Sequence, residues 1–293
     1  MQTLSGFERA LKPVWLDQIR PEIAFIGSSR VRDGFDPTLI DPALKTRSFN
    51  YGASSMTPYE ARRFVQDALA QPSVKRVVVA LDAFTGNGGP GEALPSFDET
   101  RLAVTPDGTP TPRRALWLFT TRFLSGGALG MNALGVWSLA HLAPDQTAAM
   151  RPDIFGAYNH MNEAVMRHDL NYRRARAMRM GAGAAQELST TLAAACHAQA
   201  RLTLFFPPDN MAIVDRYRQS DAAGLAAFKR DVADAVARHN QRCPSKAALF
   251  DFMAPNALTS ETLRDGVSPD YVDLVHFRPP AGVWLLKQMG LTP

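Results

Sequence analysis

Cysteine is scarce in this chain. Its 293 residues hold two, Cys196 and Cys243. No Cys-x-x-Cys and no His/Cys pair at ligand spacing occurs, which excludes the usual structural zinc site. Each cysteine stands a few residues ahead of a predicted strand, so the two can meet in an oxidising compartment. Two free thiols are the default expectation. Long apolar runs are also missing. No segment is long and apolar enough to cross a membrane as a helix, and the first residues, MQTLSGFERALKPVW, lack the apolar stretch of a signal peptide. Two readings stay open, a cytosolic protein or a soluble part trimmed of its export signal or anchor. There is no repeat, no low-complexity tract and no GxGxxG or GxxxxGK[ST] loop, so a nucleotide-binding reading is poor.

Charge of one sign is not strongly in excess. The net charge is +4, and the arginines are spread along the chain except for Arg167, Arg173, Arg174, Arg176 and Arg179. That cluster reads as a solvated helix face, or as a patch for anionic polysaccharide or lipid head groups. No nucleic-acid module accompanies it, so no nucleic-acid partner is expected. What the chain does have is core material, with 46% of residues hydrophobic.

Residues 5 to 19 read as an amphipathic helix ending before Pro21. IAFIG (23 to 27) and RSFNY (47 to 51) read as short strands. Thr57 opens a helix with a capping box to Glu60 and proline in its first turn. VKRVVVALD (74 to 82) is a strand apolar enough to be buried on both faces. Residues 184 to 199 and 221 to 240 read as helices, each followed by a strand, RLTLFF (201 to 206) and AALFDF (247 to 252). A last helix covers 280 to 289. Residues 83 to 112 look like a long loop, and 83 to 180 together like a loop and helical insertion or cap within one domain. Strands alternating with helices predict an α/β fold, a three-layer sandwich around a mostly parallel sheet. Ligands in such sheets lie beyond the carboxyl ends of the strands. Gly27-Ser28-Ser29 falls at one such end, as do Gly52, Asp82 and Asp209.

Near the other terminus stands DLVHFR (273 to 278). On a helical turn, Asp273 and His276 would share a face. The carboxylate would then hold one imidazole nitrogen while the other takes a proton from a serine. A lone Asp-x-x-His is a weak signal. Paired with a strand-end Gly-Ser-Ser it is a specific one. His141, His160, His168, His197 and His239 show no such partner spacing and read as structural or exposed.

FIGSSR, FNYGASS (49 to 55), VVVALDAF (77 to 84) and DLVHF stand in the order of the conserved blocks of the SGNH hydrolases, also called GDSL-type esterases, and the chain resembles that superfamily. The nearest likeness is to the bacterial envelope subgroup that handles acetyl groups on polysaccharides. The resemblance spans 22 to 82 and 201 to 289. It implies an SGNH or flavodoxin-like fold and a serine esterase or O-acyltransferase acting on acyl, chiefly acetyl, groups of a carbohydrate or envelope polymer. No cofactor and no metal is implied. A membrane-bound acyltransferase is an implied partner, and a periplasmic or other extracytoplasmic location is implied, with a cytoplasmic one as the alternative.

Carried over by residue, Ser29 is the nucleophile, His276 the base and Asp273 its orienter. The N–H groups of Ser29 and Gly52 would form the oxyanion hole. Ser28 takes the place of the usual Asp and would support the turn. Arg30, Asn50, Asp82 and Arg278 are the expected substrate contacts. For Arg30 and Arg278 the competing reading is salt bridging, and for Asn50 it is pinning of its own loop. The chain departs from the family at the third block. Ala80-Leu81-Asp82-Ala83 replaces Gly-x-Asn-Asp, so the usual Asn donor to the oxyanion is absent; Asn87 lies five residues on. That departure motivates a second hypothesis, a non-enzymatic SGNH-like module that binds glycan or organises partners. A third is an unrelated α/β protein using Gly-Ser-Ser-Arg as an anion-binding loop.

Overall fold

A strand buried on both faces reads as an unbroken apolar run, and Val77-Val78-Val79-Ala80 is fully buried. In the computed structural model, which describes residues 5–85, 91–112, 160–172 and 179–291, this run is the middle of a five-stranded parallel sheet. The strands are β1 (Ile23–Ile26), β2 (Ser48–Asn50), β3 (Arg76–Ala80), β4 (Arg201–Phe206) and β5 (Ala247–Asp251), in the order β2-β1-β3-β4-β5. Each pair is parallel, with Phe25 opposite Asn50 and Val78, and Leu204 opposite Leu249.

Helices flank the sheet: α1 (Ser5–Ile19), α2 (Ser29–Gly34), α3 (Pro37–Leu44), α4 (Pro58–Leu69), α5 (Glu163–Tyr172), α6 (Ala182–His197), α7 (Met211–Arg242) and α8 (Pro279–Gln288). The alternation of a strand separates the two faces. Phe205 meets Phe35, which follows α2, and Phe252, which packs on Trp284 of α8. Its neighbour Phe206 meets Phe228 of α7 on the other side. The three-layer α/β expectation therefore holds. Of the expected insertion, residues 86–90, 113–159 and 173–178 lie outside the described residues, and with them Asn87, His141, Arg173, Arg174 and Arg176.

Helix α4 begins as its sequence predicts. Thr57 accepts from the Glu60 N–H at 3.2 Å, and Glu60 accepts from the Thr57 N–H at 3.1 Å. Its charged residues are nonetheless buried, with Glu60, Arg63 and Asp67 at 0% exposure. Segment 91–112 lies over them and satisfies them with backbone groups. Arg63 donates to the carbonyls of Val104 (2.6 Å) and Thr105 (2.8 Å). Asp67 accepts from the Ala103 N–H (2.6 Å) and Glu60 from the Leu94 N–H (3.0 Å). Buried charge is tolerable only when paired in this way.

Two short helices, α2 and α3, stand between β1 and β2, where the sequence reading assigned no element. The helix expected from 221 to 240 is present, and a helical segment from Met211 that the sequence did not show runs into it across a kink at Asp221 (φ −161°, ψ 66°). Asp221 accepts from the Gly224 N–H at 2.9 Å and so caps the second segment, as its position in the sequence suggested. Finally, the cysteines are not free thiols. Cys196 and Cys243 form a disulfide with Cα atoms 5.7 Å apart. Cys196 precedes β4 and Cys243 precedes β5, and the parallel pairing of those strands brings the two helix ends together.

The disulfide closes a loop of 47 residues in sequence, and its loss is expected to cost roughly 2–4 kcal/mol. Reduction by dithiothreitol, or the pair Cys196→Ala and Cys243→Ala, should lower the melting temperature by several degrees. An unchanged melting temperature would contradict a stabilising crosslink.

Candidate active site

Strand β1 ends at Ile26, and the chain turns at once into α2. Ser28 is the cap of that helix, its side chain accepting from the Arg30 N–H at 3.2 Å. Ser29 is thus the first residue of α2, at the strand's carboxyl end. Its Oγ lies 2.8 Å from His276 Nε2. His276 Nδ1 lies 2.7 Å from Asp273 Oδ2. An ionised carboxylate only accepts, so Nδ1 carries the proton and Nε2 accepts from the Ser29 hydroxyl. The three residues named from sequence are brought together, 247 positions apart in the chain between Ser29 and His276. The side chains of His276 and Asp273 are about one-fifth exposed (21% and 20%), so the site opens to solvent.

The Asp-x-x-His segment is not a helical turn, as its spacing suggested. It is a tight turn closed by a bridge between Tyr271 and Phe277 and by the Val272 N–H donating to the His276 carbonyl at 2.9 Å. Asp273 Oδ1 accepts from the N–H groups of Val275 (2.9 Å) and His276 (2.8 Å). One carboxylate oxygen therefore fixes the backbone and the other the imidazole. Phe277, fully buried, anchors the turn edge-on against Phe35, which stacks on Phe25 of β1. A Cβ at Gly282 of α8 would lie 1.9 Å from the Gly34 carbonyl oxygen. Glycine there lets the helix after the base turn press against the helix of the nucleophile.

The remaining expected residues hold the framework. Asn50 donates through Nδ2 to the carbonyls of Val31 (2.9 Å), Arg32 (3.0 Å) and Phe35 (2.6 Å), and its Oδ1 accepts from the Gly52 N–H (2.9 Å). Two assignments change with this. Asn50 is buried and pins its loop to α2 instead of meeting a substrate. Gly52 has its N–H committed to Asn50, so it is not poised as an oxyanion donor. Its glycine identity has a steric cause: a Cβ would lie 2.3 Å from the Arg32 nitrogen. Across residues 51 to 56, the amides of Tyr51, Gly52, Ala53, Ser54 and Met56 all find acceptors. Only Ser55, exposed and with φ +51°, has no acceptor for its N–H among the described residues. The same holds for the N–H of Ser29. Sequence reasoning passed over Ser55 because its amide is singled out only by this accounting.

Arg30 is also redirected. Its side chain is 11% exposed, with Nη1 2.9 Å from Asp209 Oδ1 and Nε 3.7 Å from Asp82 Oδ2. Burial works against its charge, but Asp209 and Asp82, helped by Tyr217 and Asp273, outweigh burial and raise its pKa above the ordinary arginine value. Its guanidinium is a framework charge and not a clamp for substrate. Asp82 accepts from the Ser28 hydroxyl through Oδ2, so it too belongs to the framework. Arg278 donates to the Pro269 carbonyl at 2.7 Å, and its Nη1 lies 3.1 Å from His160 Nδ1. It braces the base turn from outside. No group of three or more His, Cys, Asp or Glu side chains that could hold a metal occurs among the described residues. Buried charged residues of α1 brace the loop after β2: Arg9 donates to the Ser54 carbonyl at 2.6 Å, and Lys12 donates to the Gly52 carbonyl.

No protein-family model matches the chain, and no curated protein matches it. A serine hydroxyl donating to an imidazole that a carboxylate holds is the arrangement that activates serine for attack on an acyl carbon.

Asn50→Ala removes the Nδ2 contacts to three carbonyls and takes the acceptor from the buried Gly52 N–H. It is expected to lower stability by at least about 2 kcal/mol, since an orphaned buried group carries a desolvation cost. Denaturant titration measures this, and an unshifted midpoint would contradict the pinning role.

Proposed function

We propose that this protein is a serine esterase or O-acyltransferase of SGNH type. The observation that carries the reading is the continuous hydrogen-bond path from Ser29 through His276 to Asp273 at 2.8 and 2.7 Å. Ser29 Oγ attacks the acyl carbonyl as its proton passes to His276 Nε2, and Asp273 stabilises the imidazolium. The oxyanion faces the N–H of Ser29. Collapse breaks the ester bond, and His276 returns the proton to the departing alkoxide, leaving the acyl group on Ser29. Water or a sugar hydroxyl, deprotonated by His276, then takes the acyl group.

The substrate side rests on the sequence resemblance: an acetylated carbohydrate or envelope polymer, with a membrane-bound acyltransferase as supplier or partner. The Cys196–Cys243 disulfide favours an oxidising, extracytoplasmic setting. A second reading, a glycan-binding or scaffolding module without turnover, is favoured by one observation. The two donors expected from the second and third blocks are missing, since Gly52 is engaged and Asp82 stands where Asn would donate. Losing one such donor typically costs about 10²–10³ in rate, so an enzyme built this way is expected to turn over slowly.

The test is labelling with a fluorophosphonate, mapped by mass spectrometry. One adduct on Ser29 is expected, absent in Ser29→Ala and His276→Ala. Asp273→Asn should slow acyl-ester turnover by about 10⁴-fold with the fold intact. Glycan binding that persists in Ser29→Ala, together with an unlabelled wild type, would favour the module.

A further inference from the structure

The residues on either side of Ser29 are tied to carboxylates from two other strand ends. Ser28 donates to Asp82 Oδ2, from the turn after β3. Arg30 Nη1 meets Asp209 Oδ1 at 2.9 Å, from the loop after β4. Asp209 is fully buried. Its neighbour Asn210 donates its N–H to the Leu274 carbonyl at 2.9 Å, inside the turn that carries Asp273 and His276. The Leu274 N–H in turn donates to Asp169 of α5 at 3.1 Å. The loop after β4 thus touches the nucleophile's helix through one residue and the base's turn through the next.

We infer that Asp209, acting through Arg30, and Asp82, acting through Ser28, are positioning residues that hold Ser29 at hydrogen-bond distance from His276. The inference rests on the esterase or acyltransferase reading for its catalytic consequence, but the placement itself can be read without activity. Ser29 is the first residue of a six-residue helix, too short to be rigid through its own hydrogen bonds. Its orientation therefore has to come from its neighbours' contacts. Misplacement of a reacting atom by about 1 Å can cost about 100-fold, so a framework that sets this distance has a kinetic signature. This also accounts for two features that substrate contact does not explain, a serine at position 28 and an aspartate at position 82.

The experiment uses the whole chain and two readouts. The first is inactivation by fluorophosphonate, resolved into kinact and Ki. The second is the ¹⁵N resonance of His276 Nε2, which reports the hydrogen bond from Ser29 and takes its unbonded value in Ser29→Ala. Asp82→Asn and Ser28→Ala should lower kinact by about 10–100-fold with Ki unchanged, and should move the resonance toward its Ser29→Ala position. Asp209→Asn should do the same. It leaves a buried guanidinium facing a neutral group, so the pair Arg30→Gln with Asp209→Asn is made alongside, and its loss of kinact should not exceed that of Asp209→Asn alone. Folded Asp82→Asn and Ser28→Ala proteins with wild-type kinact and an unmoved resonance would overturn the inference. A wild type that is never labelled, but whose resonance moves in these variants, would refute the esterase reading and leave the positioning role standing.

Discussion

Parallel strands all leave the sheet at one edge, and in the order β2-β1-β3-β4-β5 the chain turns one way from β1 and the other way from β3. In parallel α/β sheets ligands bind beyond the carboxyl ends of the strands where the order reverses in this way. Every polar group of the candidate site comes from a segment that follows a strand at this edge: Ser28, Ser29 and Arg30 after β1, Asn50 and Gly52 at and after β2, Asp82 after β3, Asp209 after β4, and the base turn after β5. The placement of the site follows from topology. Its chemistry follows from which side chains gather there.

Crowding at that edge explains the glycines and the buried charges together. The loop after β2 runs so close to α2 that only glycine fits at position 52, and α8 runs so close that only glycine fits at 282. Loops packed this tightly exclude water from their amides and carbonyls, which must then be satisfied by side chains. Asn50 satisfies four such groups at once. Arg30 sits in the same dry space and is compatible with it because two carboxylates face it. Removing one of a buried pair is more damaging than never having the pair, which makes these residues mutually dependent.

Much of this was legible in the sequence. The valine run predicted the central strand, the Thr57–Glu60 capping box predicted the start of α4, and Gly-Ser-Ser with Asp-x-x-His predicted residues that now lie within hydrogen-bond distance. What was not legible shares a cause. Helices α2 and α3, of six and eight residues, are too short to show helical periodicity. The partners of Arg30, Asn50 and Asp82 lie far along the chain or on backbone carbonyls, and neither leaves a local pattern. An arginine beside a nucleophile looks like a substrate clamp until Asp209 is seen facing it. The cysteines' places ahead of two strands showed that they could meet, but it is the parallel pairing of β4 with β5 that brings them together.

The central claim is that Ser29 takes up an acyl group. The most direct measurement is to mix the protein with an activated acetyl ester, quench in acid, and map the acetyl group by peptide mass spectrometry. The account predicts acetyl on the peptide carrying Ser29, none there in Ser29→Ala, and loss of the label when a sugar acceptor or time is allowed before the quench. Acetyl absent from that peptide in wild-type protein, or found equally elsewhere in wild type and Ser29→Ala, would contradict it.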